Sequence, residues 1–408
     1  MHLSTATLTG LRTEAAAQLP QVVALRHALH RTPELGLQLP ATQRLVLDAL
    51  APLDLEISTG SALTSVVAVL RGARPGPAVL LRGDMDGLPV TEDTGEEFTS
   101  QNVGVMHACG HDLHTSGLVG AARLLAARRE QIAGSVVFMF QPGEEGDGGA
   151  ELMIAEGVLD AAGERVVAGY GLHVMSSLLP AGAVISRPGP MLAAADSARI
   201  TVHGRGGHGS MPHLAADPVP VAASIVLALQ QMVTREFDVF DPVVVTVGHL
   251  QAGTVNNVIP SQALVEVTLR SFSAEGRAKL AAGVRRVAEH IALAHAMTAT
   301  VEYEPGYPVT VNTAVEVDRT ADVTAGLFGE RAFALAPSPI PGAEDFSYVL
   351  EQVPGAFFGL GATPDDVDPA TAPYNHSAQA RYADRALAVG PAVLAGLALD
   401  RLAQEEPV

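Results

Sequence analysis

Two spacings of hydrophobic residues divide the chain into segments. Residues 11–29, 41–51 and 115–128 are predicted as helices from their pattern of apolar side chains. Four short runs rich in β-branched and apolar residues lie among them, at residues 65–70, 78–86, 135–142 and 166–174. Continuous apolar strands that alternate with helices predict an α/β fold, with a mostly parallel sheet and helices on both of its faces.

The middle of the chain follows a different pattern. Strands are predicted at residues 197–204, 243–251 and 263–272 and near 298–303, and helices at 218–233 and 274–294. This order predicts a smaller α+β module with a half-exposed antiparallel sheet. Segments rich in glycine and proline flank it, as is common for connections between domains. We therefore predict one domain from residues 1–190 and 307–408, with residues 191–306 inserted into it.

The composition narrows the possible partners and the location. A length of 408 residues exceeds that at which a single core usually keeps growing, which agrees with two domains. A formal net charge of −19 without a basic cluster argues against nucleic acid as a partner. The first twenty residues lack a signal-peptide pattern, and the apolar residues 386–399 are too few to span a bilayer. Because Cys109 is the only cysteine, no intrachain disulfide can form, and we expect a cytoplasmic protein without membrane attachment.

Side chains that can bind metal ions follow several of the predicted strands. Asp84 and Asp86 lie at the end of the second run, where alternate residues of an extended segment share a face. Residues 106–114 then place three histidines, an aspartate and a cysteine within nine positions. Cys109 and His111 are separated by one glycine and can reach one metal ion, whose charge favours the thiolate. The alternative is a buried structural cysteine beside solvated histidines.

Two adjacent carboxylates follow the third apolar run. Glu144 and Glu145 come after a Pro-Gly turn in the sequence FQPGEEGDGGA. Adjacent side chains diverge, so one carboxylate can bind metal while the other faces a substrate as general base and acid. A solvated acidic turn is the alternative, and the strongly apolar strand before the pair argues against it.

Two isolated histidines are further candidates for metal ligands. His173 ends the fourth apolar run, and His376 lies in PYNHS near the C-terminus. A single histidine at a strand end is more often a hydrogen-bonded core residue than a ligand. The case for these two residues therefore depends on the other donors.

A glycine-rich segment of the inserted module permits two interpretations. Gly204, Gly206 and Gly209 match the spacing of a dinucleotide-binding loop, but no βαβ unit surrounds them and Pro212 interrupts the expected helix. The other interpretation is a turn that presents His208 as a hydrogen-bond donor to a developing oxyanion.

Two further residues of the module fit an anionic substrate. Asn257 lies in AGTVNNVIP, and Arg270 ends the run ALVEVTLR. A guanidinium with an amide beside it can hold a carboxylate. A solvated surface arginine is an equally good explanation of Arg270.

Taken together, the motifs resemble those of a known family. LRGDMDGLPVTEDTG, MHACGHDLHT, QPGEEG, GLHV, GGHGSMPH, NVIP, GAEDFSYVL and NHS occur in this order over nearly the whole chain. They resemble the aminoacylase and carboxypeptidase-G group of dinuclear metallopeptidases. Within that group they are most similar to the amidohydrolase branch, with its hippurate hydrolases, N-acyl-amino-acid amidohydrolases and plant auxin-amino-acid conjugate hydrolases.

The resemblance implies a two-metal centre. Matched by position, its ligands are Cys109, His111, Glu145, His173 and His376. It further implies Glu144 as the catalytic base, and Asp84 and Asp86 as carboxylates that support the ligands. Residues 1–190 and 307–408 would then form the catalytic metal-binding domain. Each subunit would bind two divalent ions, zinc or manganese, since these donors suit several metals.

The resemblance also implies roles for the inserted domain, residues 191–306, as a lid and dimerisation domain. His208 would help to polarise the scissile carbonyl, in some relatives from the neighbouring subunit. Asn257 and Arg270 would hold the substrate carboxylate.

The sequence departs from the family pattern at two positions. Gly83 and Gly87 stand where alanine is commoner. We expect these glycines to loosen the backbone without removing any donor side chain.

The resulting hypothesis is a metal-dependent amidohydrolase of N-acyl amino acids, in which Glu144 deprotonates a metal-activated water. The enzyme would be a homodimer or a higher homo-oligomer. A dipeptidase or carboxypeptidase that uses the same dinuclear centre is the alternative. The sequence does not fix which acyl group is preferred. A metal-binding sensor without catalysis is a further alternative, and the presence of Glu144 argues against it.

Overall fold

The computed structural model describes residues 3–403, which fold as two compact units. The larger unit comprises Met1–Met191, Val311–Ser338 and Asp345–Val408, and the smaller unit comprises Leu192–Thr310 and Pro339–Glu344. The chain therefore contributes one more segment to the smaller unit, residues 339–344, than the sequence analysis included. The catalytic and lid roles of the two units stay predictions.

The regular elements of the described chain are as follows. The α-helices within residues 3–403 are α1 (Thr5–Arg31), α2 (Pro40–Leu50), α3 (His111–Ala126), α4 (Gly149–Ala155), α5 (Pro218–Glu236), α6 (Ala274–Ala294), α7 (Ala314–Phe328), α8 (Ser347–Leu350) and α9 (Gly390–Leu402). The strands in the same range are β1 (Glu56–Thr59), β2 (Val66–Arg71), β3 (Arg74–Asp84), β4 (Ala133–Gln141), β5 (Val166–Pro180), β6 (Val184–Ser186), β7 (Gly189–Leu192), β8 (Ala194–His203), β9 (Gly207–His208), β10 (Val243–Ala252), β11 (Val258–Ile259), β12 (Gln262–Ser271), β13 (Thr298–Pro305), β14 (Thr310–Asn312), β15 (Phe333–Leu335) and β16 (Gly355–Thr363).

Side-chain caps explain where the long helices begin. The hydroxyl of Ser4 accepts a hydrogen bond from the first turn of α1, and that of Ser273 does the same for α6. The carboxylate of Asp217 caps α5. Each cap satisfies a backbone N–H group that has no partner within its helix.

The larger unit is built on an eight-stranded sheet. Its order is β1-β2-β4-β3-β5-β16-β6-β15. The central pairs β4–β3, β3–β5 and β5–β16 are parallel, whereas β1–β2, β2–β4 and β16–β6 are antiparallel. All residues of β16 and all but the first of β4 are buried. Because alternate residues face opposite sides, both faces of the sheet are covered there, and the predicted fold class is confirmed.

The register of the parallel strands places several polar groups at one edge. Asp84 of β3 is level with Gln141, the last residue of β4, and Arg82 is level with Gly171 of β5. The carboxyl ends of neighbouring parallel strands meet at the same edge of a sheet. Asp84, the turn after Gln141 and His173 therefore come to one edge.

The smaller unit is an antiparallel sheet with two helices. Its strand order is β10-β12-β8-β13. Ile225 and Leu229 of α5 and Leu280 and Val284 of α6 share a core with Ile200 of β8. Burial alternates along β8, so the opposite face of the sheet is open to solvent. Among residues 3–403, no helix combines the length and the apolar character needed to cross a membrane.

Candidate metal centre

A tight turn at the start of α3 separates two of the predicted ligands. α3 begins at His111, four residues before the predicted start, so His111 is helical and Cys109 is not. Gly110 between them has a φ of 83°. A Cβ atom at this position would lie 2.4 Å from a methyl group of Val174, so the turn requires glycine.

The five side chains predicted as ligands lie close together in the larger unit. The Sγ atom of Cys109 is 3.2 Å from Nε2 of His173 and 3.1 Å from Nε2 of His376. Oε1 of Glu145 is 3.4 Å from Nε2 of His376 and 3.9 Å from Nε2 of His111. The structure thus gathers the predicted donors, while their binding of metal stays a prediction.

The hydrogen bond of His173 fixes which of its nitrogens faces the cluster. Its Nδ1 lies 2.8 Å from the carbonyl oxygen of Val174 and donates to it. Nε2 then carries the lone pair and points at Cys109. Burial and the neighbouring imidazoles, that of His114 foremost, lower the pKa of His173 well below its ordinary value. A neutral ring with a free Nε2 is the form that binds metal.

Some of the buried polar atoms without hydrogen bonds lie in this cluster of donors, where a cation would compensate them. Within residues 3–403, neither nitrogen of His111 nor Oε1 of Glu145 has a hydrogen-bonding partner. Orphaned buried donors and acceptors are rare because each carries a desolvation cost. Burial raises the pKa of the Cys109 thiol, and a divalent cation opposes that effect because it favours the thiolate. Thiolate, imidazole and carboxylate donors together suit several divalent metal ions.

His114 belongs to the supporting groups rather than to the candidate ligands. Its Nδ1 lies 2.5 Å from Oδ1 of Asp84 and donates to it, and its Nε2 accepts from the amide of Val174 at 2.8 Å. Both nitrogens are therefore occupied. Burial alone would raise the pKa of Asp84, but Arg82 and the histidines hold it well below its ordinary value.

Asp86 supports the turn that carries the two glutamates. Its Oδ1 accepts from the amide of Glu144 and its Oδ2 from the amide of Glu145, both at 3.0 Å. The carboxylate therefore fixes the backbone of both residues while their side chains diverge. Glu144 is 6% exposed. One of its carboxylate oxygens lies within 4.8 Å of a ring nitrogen of His111 and of a carboxylate oxygen of Glu145.

Asn375, which was not among the predicted site residues, joins three segments of the site. Its Nδ2 donates to the carbonyl oxygens of Cys109 at 3.2 Å and Val174 at 2.9 Å. Its Oδ1 accepts from the amide of Ser176 at 3.0 Å. The next residue, His376, has a φ of 73°, which is uncommon for residues other than glycine. The one available signal was the position of the asparagine directly before a candidate ligand.

Gly83 and Gly87 have a different physical role from the one expected. A Cβ atom at Gly83 would lie 2.8 Å from the carbonyl oxygen of His114, and one at Gly87 would lie 3.2 Å from that of Met106. The two glycines therefore allow neighbouring backbone to approach closely. The expectation that they loosen the segment misses this packing.

In the smaller unit, the structure brings His208 and Asn257 together. His208 pairs with Val258 across the two-stranded sheet β9–β11, and the amide of Gly209 donates to the carbonyl oxygen of Asn257 at 2.8 Å. The amide of Ser210 donates to Nδ1 of His208 at 3.2 Å. The proton of the neutral ring is therefore on Nε2, which can donate to an oxyanion.

Arg270 does not lie beside Asn257. Strand β12 pairs with β8 from Gln262 opposite His203 to Arg270 opposite Ala195. At roughly 3.3 Å per residue, the strand spans roughly 26 Å from Gln262 to Arg270. Since Asn257 precedes Gln262, the two residues lie at opposite ends of the ladder, contrary to the expectation that the amide stands next to the guanidinium.

The fold and the site together define a class of protein. A mostly parallel sheet that gathers a thiol, three imidazoles and carboxylates at its carboxyl edge is typical of metal-dependent hydrolases. Residues 80–400 match peptidase family M20/M25/M40, and the chain belongs to this family. It is a hydrolase that acts on carbon-nitrogen amide bonds, as the resemblance implied.

Named relatives cover most of the chain. It is 38% identical over 344 residues to thermostable carboxypeptidase 2 of Saccharolobus solfataricus, which covers 83% of this chain and 85% of that protein. It is 37% identical over 397 residues to IAA-amino acid hydrolase ILR1-like 2 of Arabidopsis thaliana, or 95% of this chain and 88% of the relative. The crystal structure of the Bacillus subtilis YXEP protein, a dinuclear metal-binding peptidase of family M20, superposes with a TM-score of 0.83 at 32% identity, covering 96% of this chain and 100% of that one.

Proposed function

We propose that this enzyme removes the acyl group from N-acyl amino acids with two divalent metal ions, zinc or manganese. The observation that carries the proposal is the gathering of the five donors, two of which, His111 and Glu145, lie within 4.8 Å of the buried carboxylate of Glu144. The proposed ligands are Cys109, His111, Glu145, His173 and His376. Similarity to the plant IAA-amino acid hydrolase and to an N-acetylcysteine deacetylase of Bacillus subtilis favours an acyl amino acid as the substrate.

The chain's own residues provide proton transfer and orientation. When bound, the ions supply Lewis acidity toward the carbonyl and make water more acidic. Glu144 accepts the proton of the attacking water and later delivers it to the leaving amine. His208 donates from Nε2 to the developing oxyanion. Asp86 keeps the amides of Glu144 and Glu145 in place, so the base needs no reorganisation during the reaction.

The separation of Arg270 from Asn257 favours an arrangement of two subunits around one substrate. Because they lie at opposite ends of the ladder, one small carboxylate can contact both only when they come from different chains. β10 is an edge strand of its sheet, with exposed Val244 and Leu250 along it. Unpaired edge groups can pair with a second copy of the same strand. We therefore propose a homodimer formed through the smaller unit, in which His208 serves the neighbouring site.

A panel of substrates tests the reaction. N-acetyl, N-benzoyl and long-chain N-acyl amino acids are assayed with the metal-free protein, with zinc and with manganese. We expect hydrolysis to require metal. In Glu144→Gln the rate should fall by about 10³-fold with metal content retained, since a general base contributes about 10²- to 10⁴-fold. A normal rate in Glu144→Gln would remove this residue from the mechanism.

Cleavage of peptides is the second candidate function. The 38% identity to a thermostable carboxypeptidase favours it. The same assay includes free dipeptides and N-blocked peptides with a free C-terminal carboxylate. Faster release of C-terminal residues than of simple acyl groups would replace the proposed substrate class with peptides.

A mixing experiment tests the role of the second subunit. Glu144→Gln and His208→Ala proteins are each assayed alone and after exchange of subunits. If His208 serves the neighbouring site, each mixed dimer contains one intact site, and about a quarter of the wild-type rate should return. A mixture that stays as inactive as its components would place His208 in its own subunit's site.

A further inference from the structure

The motif GAEDFSYVL takes no part in the mechanism above, although its aspartate is deeply buried. Asp345 is 0% exposed. Its Oδ1 accepts from Nη2 of Arg82 at 2.9 Å and from Nε2 of Gln141 at 2.8 Å. Its Oδ2 accepts from Nε2 of Gln141 at 2.7 Å and from the amide of Ala150 at 2.9 Å. All of these partners are donors, so the site is built for a carboxylate.

The partners of Asp345 flank the turn that carries the catalytic base. Gln141 is the last residue of β4 and Ala150 is the second residue of α4. The chain between them forms the turn with Glu144 and Glu145. One carboxylate therefore joins the beginning and the end of this turn, while Asp86 holds the amides in its middle.

The turn needs such anchoring because it is rich in glycine. Gly143, Gly146 and Gly148 all have positive φ values, of 71°, 106° and 67°. Glycines lose more conformational freedom on ordering than other residues, so this segment is costly to hold in one conformation. A general base must nevertheless keep its geometry to within a fraction of an ångström.

Arg82 links the carboxylate of Asp345 to that of Asp84, which supports His114. Its Nη1 donates to Oδ2 of Asp84 at 2.6 Å, and its Nε donates to Oε1 of Gln141 at 2.9 Å. Asp84 in turn accepts from His114. A carboxylate oxygen of Asp345 also lies within 4.8 Å of one from Glu144.

We infer that Asp345 is a positioning residue, which holds the turn of residues 142–149 closed through Gln141 and Ala150 so that Glu144 faces the reacting atoms. The inference rests on the proposed function, because Glu144 is the base in that proposal. It assigns no contact with substrate or metal to Asp345.

The variant Asp345→Asn tests the inference with almost no change in volume. The N–H groups of the asparagine amide would face the donors of Gln141 and Ala150. The hydrogen bonds that hold the turn of residues 142–149 closed would therefore be lost. We expect kcat to fall by about 10²-fold, the cost of a misplacement of about 1 Å, with KM within about threefold of wild type and normal metal content. In the metal-free protein, hydrogen exchange of a peptide covering residues 142–150 should be at least about tenfold faster, because the turn opens locally.

A second buried aspartate of the same unit provides the matched control. Asp400 is 1% exposed and accepts from Nη1 of Arg319 at 2.5 Å, far from the turn in the sequence. Asp400→Asn also breaks a buried ion pair and should lower the unfolding midpoint comparably. Its kcat should stay within about twofold of wild type and its exchange at residues 142–150 should be unchanged. Equal loss of kcat in both variants would overturn the inference in favour of a general structural role.

A substitution of Gln141, which donates hydrogen bonds to Asp345, provides a second test in case Asp345→Asn does not fold. Gln141→Met keeps the length of the side chain and removes its amide, so it should reproduce faster exchange at residues 142–150 and lower kcat at unchanged metal content. Unchanged exchange and kcat in Gln141→Met would overturn the inference. The exchange measurement needs no substrate. A wild-type protein without activity toward acyl amino acids would therefore refute the proposed function and leave this result readable.

Discussion

Most candidate residues of the larger unit are buried or half-buried among polar partners, with the exposed His376 as an exception, whereas two of those in the smaller unit lie open to solvent. Cys109 and Glu144 are each 6% exposed and His111 is 0% exposed. His208 and Asn257 are exposed, and they are held mainly by backbone pairing in a short two-stranded sheet. Both sets follow motifs of one family, but their surroundings differ.

This difference separates two ways of building a site. Burial orders the groups of the larger unit before substrate arrives. It also desolvates polar atoms, and a bound cation can offset that free-energy cost. Exposed groups keep full hydration and contribute only when substrate contacts them. In the larger unit, substitutions of the proposed ligands should therefore change metal content and stability together with activity. Substitutions of the candidate residues in the smaller unit should change activity alone.

Removal of a candidate ligand should have the largest effect. In His173→Ala, loss of metal affinity should exceed the roughly 10- to 100-fold that the loss of an outer supporting group costs. Elemental analysis and activity at limiting zinc provide the measurement. His203→Ala is the control, since this exposed histidine bonds only to Thr300 among the described side-chain hydrogen bonds. Full metal content in His173→Ala would contradict its role as a ligand.

A pH dependence of stability should follow from a buried histidine next to the site. Burial lowers the pKa of His30, but the charges and hydrogen bonds of Asp112 and Glu92 outweigh it and raise this pKa to about 9. A raised pKa means that the protonated ring stabilises the fold fully below about pH 6.5 and that this contribution is lost as pH rises to about 9. The loss should be on the order of 3 kcal/mol.

Urea unfolding of the metal-free protein between pH 6.5 and 9.5 measures this loss. The variant His30→Gln serves as the reference, because it lacks the titrating group while other groups still titrate. Equal pH slopes in the two proteins would show that His30 is not charged in the native state.

Loss of His208 should reduce turnover without any effect on the buried cluster. In His208→Ala we expect kcat to fall by about 10²-fold, the typical cost of one oxyanion donor. Metal content and the unfolding midpoint should be unchanged because the ring is exposed. A shift of either quantity would break the proposed contrast between the two units.

The smallest effect is expected for the carboxylate contact. Arg270→Ala should raise KM for an N-acyl amino acid about tenfold, since a charged hydrogen bond is worth about 1.5–3 kcal/mol. An N-acyl amine without the carboxylate should be hydrolysed equally by both proteins. Arg199→Ala is the control, because this exposed arginine pairs with Glu266. A tenfold rise that also occurs without the substrate carboxylate would exclude the proposed contact.

Much of the fold could be predicted from spacing alone, but the C-terminal part could not. Helix α6 has the predicted bounds, because its capping residue and apolar period agree. Strand β16 escaped prediction because Gly355, Gly359 and Gly361 weaken the strand pattern. The glycine at position 355 is required by a tertiary contact, because a Cβ atom there would lie 2.1 Å from the backbone of Gly169 on β5.

The site shows the same division between local and distant information. The types of donor and their order along the chain are visible in the motifs. The hydrogen bonds that occupy both nitrogens of His114, and those made by Asn375 and Asp345, are not visible there, because they join residues far apart in sequence. Likewise, the distance between Arg270 and Asn257 follows from strand register, which motifs do not encode.

The sequence by itself determined which chemical groups this protein has and, before the C-terminal part, many of the segments that become helices or strands, because these depend on neighbouring residues. Only the tertiary structure decided that the sulfur of Cys109 and the imidazole of His376, 267 positions apart, lie 3.1 Å from each other. Parallel strands bring their carboxyl ends to one edge regardless of the sequence between them. Packing at that edge then selects which polar atoms are hydrogen-bonded and which are left to bind a cation.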